Sequence, residues 1–497
     1  MQKGTRCWRA TTPRTRRGPR RCGADERRRT PVGSRVLNRP LALLVAGTFF
    51  MEILDGTVLA TAAPAIAADF GVAPVDVNLA VTAYLVALAA GIPVSGWLAA
   101  RWGSRRVLLL GIVLFTVASA LCAASTSLPV MVLDRVLQGG GGALMVPVGR
   151  LVVLRSTPKE DLLPTIAYLT WPALLAPVVA PSLGGWVVTV ASWHWIFLVN
   201  VPLGVVACVA AVRLVPRTTE PLPARLDRRG LALTTAVLVS VLVGLELLRP
   251  GSSPLLGVLL LGVGGLLGVA AVRWLRRAPD PLLDLDGLGV RSFRAANVEG
   301  SVYRAVISAV PFVVPLLLQV GLGWSAARAG LLLMALFVGN VGVKPLTTPL
   351  LRCFGFRAVL VWSIAGGALV LLGLALVGPS TPVPVLAGAL VLSGALRSVG
   401  FSAYNSLQFA DVDPERLRGA NVLSATVQQV AGALGVAGGA LLLRVGQALG
   451  SGSGFDADGL LAYRTAFVVL AVVLLVPLVD AVRLPAAVGE EVTGRRA

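Results

Sequence analysis

Long apolar runs dominate the chain from Leu41 onward. Each run has about 20 residues, and short polar segments separate one run from the next. Because a hydrocarbon core about 30 Å thick needs about 20 residues of helix, this pattern predicts membrane-spanning helices. Glycine and proline inside the runs do not exclude helices, since neighbouring helices can satisfy the backbone groups that they free. We predict fourteen spans, at residues 41–66, 79–100, 106–124, 128–153, 163–188, 195–216, 230–248, 255–275, 295–320, 329–351, 357–378, 383–407, 420–443 and 463–483.

The composition favours one large membrane bundle and excludes a set of soluble domains. Of the 497 residues, 56% are hydrophobic and 14% are charged, and the mean hydropathy is +0.81. An ordinary soluble domain carries about 25% charged residues. The fold class that we expect is therefore an all-α polytopic membrane protein.

The basic residues fall mostly on one predicted side of the membrane. The net charge is +20, which in a soluble protein would suggest a nucleic-acid partner. With fourteen spans both termini lie on one side, and 35 of the 44 Lys and Arg residues then fall on that side, four on the other and five within spans. Cytoplasmic loops collect Lys and Arg. We therefore expect a multi-pass protein of the bacterial inner membrane with both termini in the cytoplasm and no nucleic-acid partner.

A faint internal repeat divides the spans into two halves. Residues 98–105 read LAARWGSR and residues 350–357 read LLRCFGFR, which repeats Leu, Gly and Arg at an offset of 252 residues. Parallel halves that enclose a midplane site are typical of transporters. The organisation that we predict is a tail over 1–40, a six-helix half over 41–216, two extra helices with linkers over 217–294, a second six-helix half over 295–483 and a cytoplasmic tail over 484–497.

The tail over residues 1–40 differs from the rest of the chain. It holds thirteen basic residues and almost no apolar run. Such a segment cannot bury enough apolar surface to fold, so we expect a disordered cytoplasmic tail. An upstream mis-start of translation, or a segment that binds anionic lipid, are the alternatives.

Two carboxylates lie inside the first predicted span. Glu52 and Asp55 are three residues apart and so lie on one face of a helix. A carboxylate in an apolar helix is costly and marks a functional site by default. Two neighbouring carboxylates would titrate as a coupled pair, which makes both residues candidates for binding protons or substrate. The alternative is that Asp55 only bonds a neighbouring helix.

The fourth span carries a charged, glycine-rich segment, in which residues 134–143 read DRVLQGGGGA. An arginine inside a span needs an anionic partner or water. Arg135 is therefore a candidate partner of a buried carboxylate, and Gln138 lies one turn further along the helix. The glycine run permits close helix packing.

Two further segments stand out. Residues 96–106 read GWLAARWGSRR between the second and third spans, and residues 180–185 read APSLGG in the fifth. The fifth span also contains Pro172 and Pro177. Prolines bend helices, and small residues let another helix approach.

These four segments resemble motifs of the major facilitator superfamily, in its fourteen-helix drug:proton antiporter branch (the EmrB/QacA type). The resemblance covers about residues 40–485. The residues around Asp55 resemble the branch's Leu-Asp-x-Thr signature, and those from Arg135 resemble its Arg-x-x-Gln-Gly motif. Residues 96–106 resemble the superfamily loop Gly-x-Leu-Ala-Asp-Arg-x-Gly-Arg-Lys, and residues 180–185 resemble the exporter motif Gly-Pro-x-Leu-Gly-Gly.

The resemblance implies two halves of six helices plus two inserted helices. It implies that Asp55 and Arg135 take part in proton transfer, and that the span-5 motif marks an exporter. It also implies a group of residues for the conformational switch, namely Gly96, Arg101, Gly103, Arg105, Pro177, Pro181, Gly184 and Gly185. The chain departs from the family pattern at Ala100, which stands where the family has the latch Asp, and at Ser104 and Ala180.

The second half contributes two deep arginines, Arg304 and Arg397. Two functional roles are possible for each arginine: it pairs with a carboxylate of the first span, or it lines the substrate cavity. The alternative to both is an ion pair with a purely structural role. His194 lies between two tryptophans at an outer edge, where an interfacial aromatic belt is expected.

The function expected from these features is proton-coupled export of small amphipathic compounds by alternating access. No phosphate-binding loop and no Cys-x-x-Cys motif is present in the sequence, so we expect a protein that is not an enzyme and has no cofactor or metal. We also expect a monomer. Two alternatives remain open at this stage. One is a facilitator or importer of a metabolite, and the other is a membrane sensor that transports nothing.

Overall fold

The computed structural model describes residues 39–72, 76–217, 226–248, 253–413, 415–452, 460–485 and 488–493. The predicted tail over 1–40 lies outside the described residues apart from Arg39 and Pro40, as do the last four residues of the predicted C-terminal tail. The described residues form helices and connecting turns, without a β-strand among them.

Seventeen α-helices account for most of the described chain. They are α1 (Arg39–Phe70), α2 (Asn78–Trp102), α3 (Ser104–Ala124), α4 (Leu128–Ser156), α5 (Leu162–Val190), α6 (His194–Leu198), α7 (Asn200–Leu214), α8 (Arg228–Glu246), α9 (Pro254–Leu275), α10 (Arg291–Asn297), α11 (Glu299–Leu316), α12 (Ala326–Gly342), α13 (Lys344–Ala375), α14 (Val383–Ala410), α15 (Leu417–Gly452), α16 (Leu461–Arg483) and α17 (Glu490–Thr493). A short π-helical turn, Leu317–Gly321, extends α11.

The expectation of an all-helical membrane bundle is confirmed. Twelve helical stretches within the described residues have the length and the apolar composition to cross a membrane. The two other predicted spans correspond to α5, which has 29 residues, and to the shorter apolar helix Arg328–Gly342. The span predicted over 329–351 differs from the structure, because α12 ends at Gly342 and α13 begins directly afterwards. The count of fourteen therefore stays a prediction.

Helix packing repeats itself along the chain. In the first half α3 packs against α4 and α7, α2 against α4, and α1 against α5. In the second half α13 packs against α14 and α16, α12 against α14, and α11 against α15, so the same four pairings recur in the same order. Helices α8 and α9 pack against each other, and α8 also lies beside α2 and α15. This recurrence supports two related halves with an inserted pair, although the exact boundaries stay a prediction.

Glycines allow the helix backbones to approach closely at two equivalent crossings, of α2 with α4 and of α12 with α14. A Cβ on Gly139 of α4 would lie 2.4 Å from the Tyr84 carbonyl oxygen of α2, and a Cβ on Gly394 of α14 would lie 1.8 Å from the Leu336 carbonyl oxygen of α12. No side chain fits in that space. Close backbone approach of this kind is how membrane helices gain packing energy when lipid and side chains are equally apolar.

The repeated Leu-Gly-Arg segments have a structural cause. Gly103 separates α2 from α3 with φ 85° and ψ 144°, and Gly355 breaks α13 with φ 76° and ψ 169°. This backbone region is essentially restricted to glycine. The two glycines thus place the same sharp turn at the same point of each half.

The outer surface of the bundle is apolar. Large side chains such as Leu266 of α9 and Leu369 of α13 are 75% and 71% exposed, whereas Phe115 and Phe467 are fully buried inside the halves. An exposed apolar surface of this extent marks contact with a membrane rather than with water. Lipid therefore solvates the outward faces of the helices.

We predict that Gly355→Ala destabilises the protein by about 1–3 kcal/mol, because alanine at this φ and ψ is strained. Gly373→Ala is the matched control, since Gly373 lies in the same helix with ordinary helical geometry and open space around its Cα. The measurement is the thermal midpoint of each purified variant in detergent. Equal midpoints for the two variants would contradict the structural role of Gly355.

Candidate functional site: a buried ion pair beside a central cavity

An ion pair lies in the interior of the first half. Arg135 of α4 donates through Nη1 to Oδ2 of Asp55 on α1, and both side chains are fully buried. The two residues that the sequence marked as candidates are therefore direct partners. Removal of one partner from a buried ion pair leaves an uncompensated charge and typically costs about 3–5 kcal/mol. The pair accordingly fixes α1 against α4.

Amide and hydroxyl groups complete the surroundings of Asp55. Gln138 Nε2 and Asn200 Nδ2 donate to Asp55 Oδ1 over 2.8 and 3.0 Å. The same two amide nitrogens donate to Ser119 Oγ, each over 3.0 Å. Arg135 Nη1 also donates to Gln138 Oε1 over 2.7 Å. The network thus joins α1, α3, α4 and α7 through one carboxylate.

The guanidinium of Arg135 has a second, aromatic neighbour. Its Cζ atom lies 4.1 Å from the centroid of the Tyr84 ring of α2. Aromatic faces attract cations, and the attraction is stronger away from water. Arg135 Nη2 has no hydrogen-bond partner among the described residues. The tyrosine face and the carboxylate together hold the charge of Arg135 inside the apolar half.

A cavity of about 380 Å³ lies between the two halves, within the size range of small-molecule sites. Helices α1, α2 and α4 of the first half and α11, α12, α14 and α15 of the second half supply its walls. The lining residues are Glu52, Ile53, Leu88, Ile92, Gly142, Val146, Pro147, Arg150, Arg304, Ile307, Ser308, Asn340, Arg397, Phe401, Ala425, Gln428, Gln429 and Gly432.

Glu52 and Asp55 have different surroundings although both face α4. Asp55 contacts Arg135 and Gln138 inside the first half, whereas Glu52 lies against Gly142 one turn further along α4 and reaches the cavity. Tyr84 connects the two sites, because its hydroxyl donates to the Glu52 carbonyl oxygen over 3.2 Å. The structure therefore separates a sealed carboxylate from one that a ligand can meet.

The two deep arginines of the second half line the cavity, which was one of the two sequence-based alternatives. Neither Arg304 nor Arg397 forms an ion pair with Glu52 or Asp55 in the part of the chain that the structure describes. Arg304 donates instead to the Ala296 carbonyl oxygen over 3.2 Å and to Asn405 Oδ1 over 3.5 Å.

The two halves contact each other at the end of the bundle where α2 ends at Trp102 and α15 begins at Leu417. We term this end of the bundle the basic end. Asn421 Nδ2 of α15 donates to the Pro147 carbonyl oxygen of α4 over 2.8 Å. Gly96 of α2 approaches Val422 so closely that a Cβ on the glycine would lie 2.4 Å from Val422 Cγ2. Residues lining the cavity lie one turn deeper along α15, so these contacts separate the cavity from the basic end.

A buried lysine adds a further link between the halves. Lys344 Nζ of α13 donates to Thr170 Oγ1 of α5 over 3.2 Å and to Ser402 Oγ of α14 over 2.6 Å. Arg352 donates to the Glu160 carbonyl oxygen over 3.4 Å nearer the surface. Polar contacts thus join the halves at a second place, between α13 and the segment that contains α5.

The loop residues assigned to the switch lie at the basic end, away from the ion pair. Arg101 is exposed, and Arg105 donates to the Val212 carbonyl oxygen of α7. Asp284 of the linker after α9 lies against Gly419, in the first turn of α15. Ala100 and Asp284 line the same groove, so a linker carboxylate lies on the groove at which the loop carboxylate is missing.

The proline and glycine motif lies on α5, which runs unbroken from Leu162 to Val190. This helix packs along α1 and contacts α12, α13 and α14 of the other half. Gly184 is buried and Gly185 is exposed, while the side chains of Pro177 and Pro181 lie outside the described residues. Ala180 and Leu183 of this motif pack in an apolar cluster with Leu54 of α1, so the described part of the motif lies against the first half and outside the Asp55 network.

Sequence reasoning assigned no role in the site to four of its residues. Ser119 and Asn200 are neutral, and no sequence pattern distinguishes them from the other polar residues of the spans. Arg150 and Asn340 line the cavity, and Arg150 carried a usable signal, since it is a charge inside a predicted span. Within the described residues no group of three or more His, Cys, Asp or Glu side chains is arranged to hold a metal ion.

Relatives with curated names cover most of the chain. "Putative multidrug resistance protein MdtD" of Cronobacter sakazakii is 35% identical over 449 residues, which cover 89% of this chain and 94% of the relative. The protein of the same name from Citrobacter koseri is 38% identical over 409 residues, which cover 80% of this chain and 85% of the relative.

Solved structures share the fold at low sequence identity. The human organic anion transporter MFSD10 (TETRAN) superposes with a TM-score of 0.61 at 15% identity, over 89% of this chain and 99% of the other. The proton:xylose symporter XylE superposes with a TM-score of 0.61 at 14% identity, over 90% and 96%. At these identities the likeness shows the fold alone.

The family assignment follows from the match to a family model together with these relatives. The model described as Major Facilitator Superfamily matches residues 45–277 and 300–493, which is most of the chain. This match agrees with the two similar helical halves around a central cavity. The chain belongs to the major facilitator superfamily.

Proposed function

We propose that this protein is a secondary active transporter that exports small amphipathic compounds in exchange for protons. The observation that carries the proposal is the buried Asp55–Arg135 pair, one helical turn from a cavity enclosed by both halves. The named relatives, which are multidrug resistance proteins by their titles, favour export of foreign compounds. Both termini lie in the cytoplasm in this proposal, because the basic residues concentrate on that side.

Protonation of Asp55 would supply the switch. A neutral carboxyl no longer attracts Arg135, and the hydrogen bonds from Gln138 and Asn200 lose their charge-assisted character. Since this one carboxylate joins α1, α3, α4 and α7, a change in its charge alters the packing of the entire first half. The first half would then have two conformations, and protonation of Asp55 would shift the equilibrium between them.

Glu52 and Tyr84 connect a substrate in the cavity with the Asp55–Arg135 pair. A compound in the cavity contacts Glu52, whose backbone accepts from the Tyr84 hydroxyl. The Tyr84 ring in turn lies against the guanidinium of Arg135. Substrate and proton therefore act on one connected set of side chains, which is the requirement for exchange.

The contacts at the basic end act as the cytoplasmic gate in this proposal. Gly96 and Val422 meet only while α2 and α15 are close, and Asn421 reaches Pro147 in the same arrangement. Rocking of the halves would separate these pairs and open the cavity to the cytoplasm. A single chain contains both gate surfaces, so the working unit is a monomer.

We predict that Asp55→Asn abolishes export at matched abundance in the membrane. The amide keeps the shape of the carboxyl but cannot exchange a proton, and it leaves Arg135 buried without a counter-charge. The measurement is a susceptibility panel in a host that lacks its own efflux pumps, with abundance read from the membrane fraction.

Asp134→Asn is the matched control on the partner helix. Asp134 accepts from Ser125 Oγ over 3.0 Å and takes no part in the ion pair, so export by this variant should remain near wild type. The double variant Asp55→Asn/Arg135→Gln removes both charges and should restore stability without restoring export, since a pair removed together leaves no orphan charge. Wild-type export by Asp55→Asn would contradict the role of the residue.

We also predict that a pH gradient drives transport in everted membrane vesicles. The lumen of an everted vesicle corresponds to the outside of the cell, so protons leave the lumen while substrate enters it. Acidification of the lumen should therefore increase uptake of a fluorescent amphipathic dye into the vesicles. A protonophore that collapses both the pH gradient and the membrane potential should abolish this uptake, and vesicles with Asp55→Asn should show none. Undiminished uptake after both gradients have collapsed would rule out proton coupling.

A further inference from the structure

The charge of the cavity wall is unbalanced. Among the lining residues, three are arginines (Arg150, Arg304 and Arg397) and one is a carboxylate, Glu52. The other described carboxylate nearby, Asp55, is already neutralised by Arg135 inside the first half. The cavity therefore presents an excess of positive charge to whatever enters it.

Each arginine keeps a buried nitrogen that no described protein group satisfies. These atoms are Nη1 of Arg150, Nε of Arg304 and Nη1 of Arg397. Arg304 is only 4% exposed, and Asn340 of α12, which also lines the cavity, is 1% exposed with both polar atoms of its amide unpartnered. Buried donors without partners are costly, and the three arginines that carry these donors all line one cavity, which points to a ligand that accepts hydrogen bonds.

The remaining wall is apolar and would hold the body of such a ligand. Leu88 and Ile92 contribute from α2, Ile307 from α11 and Phe401 from α14. Phe401 also lies beneath Arg304, whose Cζ atom is 5.8 Å from the ring centroid. The site thus combines a hydrocarbon surface with donors contributed by both halves.

We propose that the cavity binds organic anions: amphipathic compounds whose apolar body carries a carboxylate, sulfonate or phosphate group. Guanidinium groups match the planar geometry of such oxyanions and form charge-assisted hydrogen bonds with them. Arg150 belongs to the first half, whereas Arg304 and Arg397 belong to the second, so one anionic group bridges the halves. The inference rests on the proposed transport function and names its substrate class.

The charge of the substrate also sets the energetics of exchange. When an anion leaves the cell and a proton enters, both movements carry net positive charge into the cell. The inside-negative membrane potential therefore drives the exchange along with the pH gradient. A cationic substrate exchanged for one proton would make the same cycle electrically neutral.

Binding of three matched probes tests the substrate class. Naphthylacetate, naphthylethylamine and naphthylethanol share one aromatic body and differ in charge. The measurement is the competition of each compound against radiolabelled naphthylacetate on the full chain in lipid nanodiscs, without any gradient. We expect naphthylacetate to bind about tenfold or more tightly than either of the other two compounds.

Variants locate that preference in the cavity. Arg397→Gln should weaken naphthylacetate binding about tenfold, Arg397→Lys should retain most of it, and Glu52→Gln should strengthen it by removing a repelling charge. Arg273→Gln is the control, because Arg273 is an exposed arginine at the end of α9; its binding should equal that of the wild type. Thermal midpoints of all variants show that they are folded.

Naphthylethylamine that binds as tightly as naphthylacetate, an absence of naphthylacetate binding, or an Arg397→Gln variant with wild-type affinity would overturn the proposal. These outcomes are separate from failure of the proposed transport, since binding is measured without a gradient. Anion binding without transport driven by a pH gradient would instead refute the exchange mechanism.

Discussion

The ion pair between Asp55 and Arg135 constrains the whole first half of the molecule. An apolar bundle has no water with which to solvate a charge, so each charge inside it must find its partners on other helices. Asp55 obtains them from α4 and α7, and Arg135 obtains its own from α1 and the face of Tyr84 on α2. Ser119 of α3 accepts from the same two amides that donate to Asp55, so five helices meet around one carboxylate.

The second half has the same helix packing but a different electrostatic arrangement. It repeats the four pairings and the glycine-based turn of the first half, yet its arginines face the cavity instead of forming a buried ion pair. One half therefore resembles a proton-sensitive switch and the other a binding wall. The contacts of Gly96 with Val422 and of Asn421 with Pro147 join the two halves directly.

Sequence patterns identified the elements of the fold and the centre of the site, because buried charges are rare in apolar spans and stand out as single letters. Asp55 and Arg135 were found in that way, and Gln138 by its place in the motif one turn from Arg135; the structure brings all three into direct contact. Ser119 and Asn200 were not assigned, since the role of a neutral residue depends on helices distant in sequence. The separation of Glu52 from Asp55 also had no sequence signal, because it depends on where the second half meets α4.

The central claim is that substrate in the cavity and a proton on Asp55 exclude one another. Proton exchange on binding, followed with a pH-sensitive dye in weakly buffered detergent solution, tests this claim directly, since linked binding must move protons. The account predicts that naphthylacetate releases protons from the wild-type protein and releases none from Asp55→Asn, at concentrations that saturate both. Saturable binding to the wild type without proton release, or equal release from both proteins, would contradict it.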